Sequence, residues 1–499
     1  MNRRGHHSYD TLPSEEDGED TRRPVAARRR LKRATAFAIM FAFVIFFSLL
    51  AISRAFGFTN PSACDGLNGF SCKPEISHWL GQYSPYYSVP SVIKASVPET
   101  CTVTFAQSLS RHGARDPTAS KTKAYSNLIE SLKSKVGTFT GKYAFLNNYE
   151  YTLGADQLTT LGQQELVNQG VKFYERYNEL AKHIDPFVRS AGQQRVVESA
   201  YNWTLGYQQA VQEAKKSGNS VSTLAIEVIP EGEEYNNTLS IDNCPAFSSD
   251  LGDAAQNKWI SIFVPNITAR INNDLPSAKL NDSTTIYLMD LCAFDTVASP
   301  TGNISDFCYL FTDTEWRDYD YYQSLGKYYG YGPGSKLGPT RGVGFVNELI
   351  ARMTNSPVRD ETTTNHTLDT DPSTFPIGKK YTLFADFSHD NDMMNIFSAF
   401  GLFNATKPLS NTTFTPPEKT NGFSASWAVP FSGRAYFEKL QCAGQKEEMV
   451  RVLLNDRVVP LETCGGNHQG LCTLSKFVDS LSFARAGGFW DECFDGDKE

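Results

Sequence analysis

Two short segments carry the residue types that phosphoryl chemistry requires. The first is Arg111-His112-Gly113-Ala114-Arg115-Asp116-Pro117, a histidine between two arginines with a glycine that lets the backbone come close. The second is His389-Asp390, a histidine beside a carboxylic acid. A phosphate monoester is a dianion, and its transfer depends on positioning and on cations spread over the equatorial oxygens, which guanidinium forks supply. A neutral imidazole can attack phosphorus and split hydrolysis into two easier displacements. The leaving alkoxide then needs a proton, and Asp390 can give one if it stays protonated at the working pH, so an acidic optimum is expected. A lone histidine is more often structural than nucleophilic, and an Asp often merely caps a helix. The arginines flanking His112 and the apolar strand before each histidine favour the catalytic reading.

Those strands come next. From Cys101 to Leu109, Val103, Phe105, Gln107 and Leu109 alternate with small polar residues and run directly into Arg111-His112. Tyr381 to Phe387 is a second strand, ending at Ser388-His389-Asp390. In open α/β sheets ligands bind beyond the carboxyl ends of strands, so the two loops can converge on one pocket. Between them, Thr160 to Ala181 has helical spacing, with Thr159 or Thr160 as cap. Pro186 to Ser190 reads as a short strand, Gln194 to Lys216 as a helix, and residues 220–300 as helical in patches. Val450 to Pro460 reads as a hairpin around Asn455-Asp456, and Leu474 to Ala484 as a short helix. Helices alternating with strands indicate an α/β fold: a large sheet domain over 101–499 with an inserted, smaller, mainly α-helical subdomain over approximately 120–300.

The chain has 499 residues and a formal net charge of -8, with no blanket basic field for nucleic acid, so a polyanionic substrate must meet a local basic pocket. The ten cysteines, Cys64, Cys72, Cys101, Cys244, Cys292, Cys308, Cys442, Cys464, Cys472 and Cys493, all follow residue 60 and read as a disulfide framework. No Cys-x-x-Cys pair occurs and no histidine clusters with them, so no structural zinc site is expected. Asn-x-Ser/Thr sequons stand at Asn202, Asn236, Asn266, Asn281, Asn303, Asn365, Asn404 and Asn411, consistent with passage through a secretory lumen. Residues 1–33 are polar and end in a basic run, a disordered cytosolic tail by composition. Ala34 to Ser53 follows without a charge, long enough as a helix to span roughly 30 Å of bilayer. Basic residues before it and cysteines after it predict a single-pass signal anchor with the N-terminus in the cytosol, the alternative being secretion after cleavage. Residues 54–100 read as a loop-rich lead-in.

The Arg-His-Gly-x-Arg-x-Pro element with a distant His-Asp resembles the fungal phytases of the histidine acid phosphatase family. Phe105-Ala106-Gln107, Gly154-Ala155-Asp156, Asp386 to Asn391 and Val452 to Pro460 extend the likeness over nearly all of 64–493. The resemblance implies His112 as phosphate-accepting nucleophile, Asp390 as proton donor, and Arg111, Arg115 and His389 as phosphate binders. A further arginine is implied in the same clamp, Arg195 first and Arg189 second. Gln82, Lys121, Lys327 and Asn391 are implied as contacts to the other phosphates of phytate, inositol hexakisphosphate. The implied disulfides are Cys64–Cys72, Cys101–Cys442, Cys244–Cys493, Cys292–Cys308 and Cys464–Cys472. No metal or organic cofactor is needed, and a monomer is the default. The chain departs from the family at Asp116, where Tyr is frequent, at Gly326, where a second Lys is common, and at Ser240, where an Asp can stand; Asp392 adds a carboxylate. A less basic pocket holds a hexakisphosphate less tightly, which keeps a broad-specificity acid phosphatase in view. The contrasting expectation is a phosphatase-like surface glycoprotein without turnover.

Overall fold

A computed structural model describes residues 64–215 and 223–498. The expected tail (1–33), membrane span (34–53) and first part of the lead-in lie outside them. Among the described residues no helix is long and apolar enough to cross a membrane.

The strands are β1 (Cys101–Arg111), β2 (Phe187–Ala191), β3 (Ile226–Ile229), β4 (Leu383–Ser388), β5 (Arg434–Cys442), β6 (Met449–Leu454), β7 (Arg457–Val458) and β8 (Cys472–Thr473). They form one sheet in the order β3-β2-β4-β1-β5-β6-β7, with β8 pairing β6. β3, β2, β4 and β1 are mutually parallel, whereas β5 runs antiparallel to β1 and β6 to β5. The alternation read in β1 does not mark a half-exposed strand, because every residue from Phe105 to Arg111 is buried. A parallel strand in mid-sheet is covered on both faces and need not alternate. The hairpin around Asn455-Asp456 is present as β6–β7, and both residues take positive φ there.

The longer helices are α1 (Ala119–Val136), α2 (Thr160–Ala181), α3 (Gln194–Lys215), α4 (Asp250–Asp274), α5 (Asp282–Ala298), α6 (Asp313–Gly330), α7 (Val343–Thr354), α8 (Asp390–Ala399) and α9 (Leu474–Ser480). Thr159 caps α2, its hydroxyl accepting from Gly162 N at 3.1 Å. α2 and α3 pack on each other and on strands of the sheet, while α4, α5 and α6 pack together and α1 rests against α5. The expected helical insertion over 120–300 is therefore not one block. β2 and β3 fall inside that range and belong to the main sheet, and the off-sheet helices come from two stretches, 119–147 and 250–330. Short apolar strands among sequons carry too little periodicity to separate them from patchy helix.

The five disulfides pair as the resemblance implies, Cys64–Cys72, Cys101–Cys442, Cys244–Cys493, Cys292–Cys308 and Cys464–Cys472. All eight sequon asparagines are exposed or half-buried. Beneath the sheet, Arg189 of β2 meets Asp386 of β4 at 2.8 Å and Glu348 of α7 at 2.7 Å, and Arg352 meets Asp386 at 3.0 Å. All four side chains are buried, so each charge depends on its partners.

Candidate active site

The site grows from the register of the four parallel strands. Arg111 lies opposite Ser388, Ser190 opposite Phe387, and Ala191 opposite Ile229, so β1, β4, β2 and β3 end level with one another. The residues just past those ends are His112 to Arg115, His389 to Asp392, Arg195, and Glu231. Side chains distant in sequence are thus delivered to one edge of the sheet.

His112 is fully buried. Its Nδ1 lies 2.9 Å from Gly113 O, and since a carbonyl oxygen only accepts, Nδ1 carries the proton and Nε2 the lone pair. Nε2 has no hydrogen-bond partner among the described residues. Burial, reinforced by Arg111, Arg195, Arg115 and His389, holds the imidazole's pKa well below the ordinary histidine range. A neutral ring with an unengaged nitrogen is the form that attacks phosphorus. The loop holding it is fixed from behind. Gly113 N donates to Ser199 Oγ at 3.1 Å, and Ala114 N donates to Glu165 Oε2 at 2.9 Å. Gly113 is required sterically, because a Cβ there would sit 2.3 Å from Gly162 O of α2.

Arginines surround that nitrogen. Arg111 is buried over the Phe431 ring and donates from Nη1 to Gln82 O and to Val429 O at 2.9 Å. Its Nε and Nη2 make no hydrogen bond, although Nη2 is 3.4 Å from Asp390 Oδ1. Burial lowers its pKa to about 10, which leaves it charged at any working pH. Arg115 donates to Asp116 O at 2.7 Å, and among the described residues Arg195 has Asp156 as its one ionic partner, at 3.4 Å. The Nε atoms of both are buried without a partner. Buried guanidinium N–H groups left unsatisfied are donors for an anion. The His389 ring stands 5.9 Å from that of His112 and donates from Nε2 to Glu231 at 3.0 Å.

Asp390 opens α8, with His389 as the residue before the helix. Its carboxylate takes a hydrogen bond from Lys327 Nζ, which also donates to Asn391 Oδ1 at 2.5 Å. Burial alone pushes this carboxyl up, but Arg111 and Lys327 together hold its pKa well below the usual carboxylate range. The condition that Asp390 stay protonated is therefore opposed in the free site, whose cations favour the carboxylate.

Gln82, Arg115, Arg195, Lys327, His389, Asp390 and Asn391 all line one cleft of about 470 Å³. Lys121 lies outside that lining, 3.7 Å from Asp290 and over the Tyr287 ring. Arg189 is remote from the cleft, held in the buried network described above, so Arg195 is the arginine that joins Arg111 and Arg115. The cleft also carries Glu231, Asp242, Asp253 and Asp392, and Ser240 and Gly326 stand at its wall. Glu231, which sequence reasoning missed, accepts from Gln193 N at 2.8 Å as well as from His389. Its signal was a carboxylate two residues past the short stretch Ile226–Ile229, legible only once that stretch is read as a strand. Glu165, also missed, looks like one more polar residue on an amphipathic helix.

The sequence pattern of the histidine phosphatase superfamily (branch 2) matches residues 102–455, and the chain belongs to that family. It is 50% identical over 432 residues to Phytase A of Aspergillus oryzae, covering 85% of this chain and 92% of that protein. Over 441 residues it is 51% identical to Phytase A of Aspergillus awamori, covering 87% and 94%. In fold it is similar to the phytase from D. castellii, with a TM-score of 0.68 at 23% identity over 84% of this chain and 87% of the other.

Proposed function

We propose that this chain hydrolyses phosphate monoesters, with phytate as its substrate, through a phosphohistidine on His112. The observation that carries this reading is the buried His112 Nε2, free of any protein hydrogen bond and ringed by Arg111, Arg115 and Arg195, in a chain about half identical to named phytases. His112 Nε2 attacks phosphorus while the three arginines and His389 neutralise the equatorial oxygens. The P–O bond to the leaving group breaks, and that oxygen takes a proton from Asp390. Water then attacks the phosphohistidine and gives its proton to Asp390, releasing inorganic phosphate and neutral His112. Gln82 and Asn391 bind neighbouring ring phosphates, a reading supported by their position in the cleft lining, and Lys121 binds one beyond that lining.

The test is phosphate release from phytate and from p-nitrophenyl phosphate at about pH 5, beside His112→Ala. Preference for phytate with a dead variant supports the reading. Turnover of the aryl ester alone supports a broad-specificity acid phosphatase, a reading favoured by the four carboxylates Glu231, Asp242, Asp253 and Asp392 in the cleft. The uncharged stretch Ala34–Ser53 supports a single-pass anchor with the catalytic unit on the non-cytosolic side. A mature N-terminus found beyond residue 54 decides instead for secretion after cleavage.

A further inference from the structure

The implied role of Lys327 is a contact to an outer phosphate of the substrate. Its surroundings suit a different one. Lys327 is buried on α6, its ammonium hydrogen-bonded to both Asp390 and Asn391 and lying 5.5 Å from the Tyr331 ring centroid. Two of its three donors are therefore engaged by the first two residues of α8. Asp390 in turn lies between Lys327 and Arg111, one cation against each oxygen.

This creates a chemical problem within the proposed hydrolase reading, on which the inference rests. The leaving alkoxide needs a proton from Asp390, yet the free site stabilises the carboxylate. We propose that Lys327 is a positioning residue that holds Asp390 as an oriented carboxylate until a phosphate group enters, and that ligand binding itself draws one proton onto Asp390. The entering anion engages the unpartnered Nε and Nη2 of Arg111 and so withdraws one of the two cations from Asp390. It also places negative charge beside the carboxylate, and both changes favour the protonated acid. After the proton has passed to the leaving oxygen, the carboxylate re-forms against Lys327, ready to take a proton from the attacking water.

The groups that face Asp390 are Arg111 and the His112 ring from β1 and its following loop, and Lys327 and Tyr331 from α6 and its end. Tyr83, in the 81–83 turn, and Arg195, at the start of α3, also act on it. Only His112 among them could also accept a proton in the acid range, since it too is held neutral in the free site. Lysine, arginine and tyrosine do not change charge there.

The experiment is calorimetric binding of myo-inositol hexakis sulfate to the intact protein at about pH 5.5, in two buffers of different ionisation enthalpy. Sulfate esters stay ionised throughout this range, so any proton taken up goes to the protein. The expected result is uptake of about one proton per ligand in the wild type, lost in Asp390→Asn, clearly reduced in Lys327→Met and retained in Lys327→Arg. Absence of uptake in the wild type overturns the proposal without any variant. Uptake that persists in Asp390→Asn assigns the proton to another group of the cleft, His112 or one of Glu231, Asp242, Asp253 and Asp392, and overturns it, as does uptake unchanged in Lys327→Met. Because this ligand is not turned over, the outcomes separate cleanly: wild-type protein that releases no phosphate from either phytate or p-nitrophenyl phosphate removes the hydrolase reading, and normal release without proton uptake removes this one.

Discussion

Arg195 and Arg189 stand six residues apart and compete, by sequence, for one place in the phosphate clamp. Their surroundings predict opposite consequences when each is replaced by methionine, which keeps the apolar stem and removes the charge. Arg195 has one ionic partner, Asp156 at 3.4 Å, whose side chain is 40% exposed. An ion pair of that kind contributes below about 1 kcal/mol, and the neighbouring Arg115 repels Arg195, so the fold loses little. Its unpartnered Nε is spent on the anion instead. Removing one preorganised donor of this type costs about 2.7–4 kcal/mol in the transition state, a fall of roughly 10²–10³ in kcat/KM. Arg189 neutralises Asp386 and Glu348, at 2.8 and 2.7 Å, where all three side chains are buried. Deleting it strands carboxylates in the interior, at a cost of about 3–5 kcal/mol in stability with the cleft chemically intact. Thermal unfolding by circular dichroism, together with kcat/KM per folded molecule on p-nitrophenyl phosphate, reads both effects. The reasoning fails if Arg195→Met keeps kcat/KM within about twofold of wild type, or if Arg189→Met loses activity without losing stability.

Burial raises the pKa of Glu165 to about 7 and those of Asp65 and Asp320 to about 6, above their unfolded values. Each is neutral when folded and ionised when unfolded across the interval between the two pKa values, so stability is full below about pH 4 and declines as pH rises toward 7. The melting temperature should fall between about pH 4 and 7, and Glu165→Gln should flatten that slope; a steeper one would contradict the assignment. In the other direction, the pKa of Asp456 is held at about 2: burial opposes its charge, but Arg434 and Lys172 outweigh that effect. Its contribution is present above the unfolded pKa and is lost only as the pH falls through about 2, leaving the fold intact at the acidic pH of the reaction. Replacing both Cys101 and Cys442 with serine opens a cross-link of sequence separation 341 and should destabilise the protein by about 2–5 kcal/mol in a urea titration, with no change in KM for the folded fraction.

The two catalytic segments were legible because each keeps its chemistry within a few consecutive residues. The strands before them were legible as well, being long, apolar and followed at once by charge. β2 was placed within a residue of its observed start, and α2 and its threonine cap were recovered almost residue for residue. β3 was not, because a four-residue stretch with three apolar residues around Glu227 is compatible with either helix or strand, and the choice is made by pairing with β2. With β3 unread, Glu231 had no address, although it tethers His389. The helical insertion was drawn as one block for the same reason: sequence order alone does not show which helices lie on the sheet.

The sequence by itself determined the reaction class and singled out the candidate nucleophile and acid and the side chains able to cradle a dianion, since those depend on residue identity and short spacing. It also carried the likeness from which the disulfide pairs were drawn. Only the tertiary structure decided that Arg195 and not Arg189 faces the cleft, that Lys121 lies outside the lining, and that Lys327 and Arg111 flank Asp390 and favour its carboxylate form. These are outcomes of Coulomb interactions over a few ångströms in a poorly screened interior, summed over β1, α3, α6 and α8. Chain folding sets those distances, and separation along the sequence does not encode them.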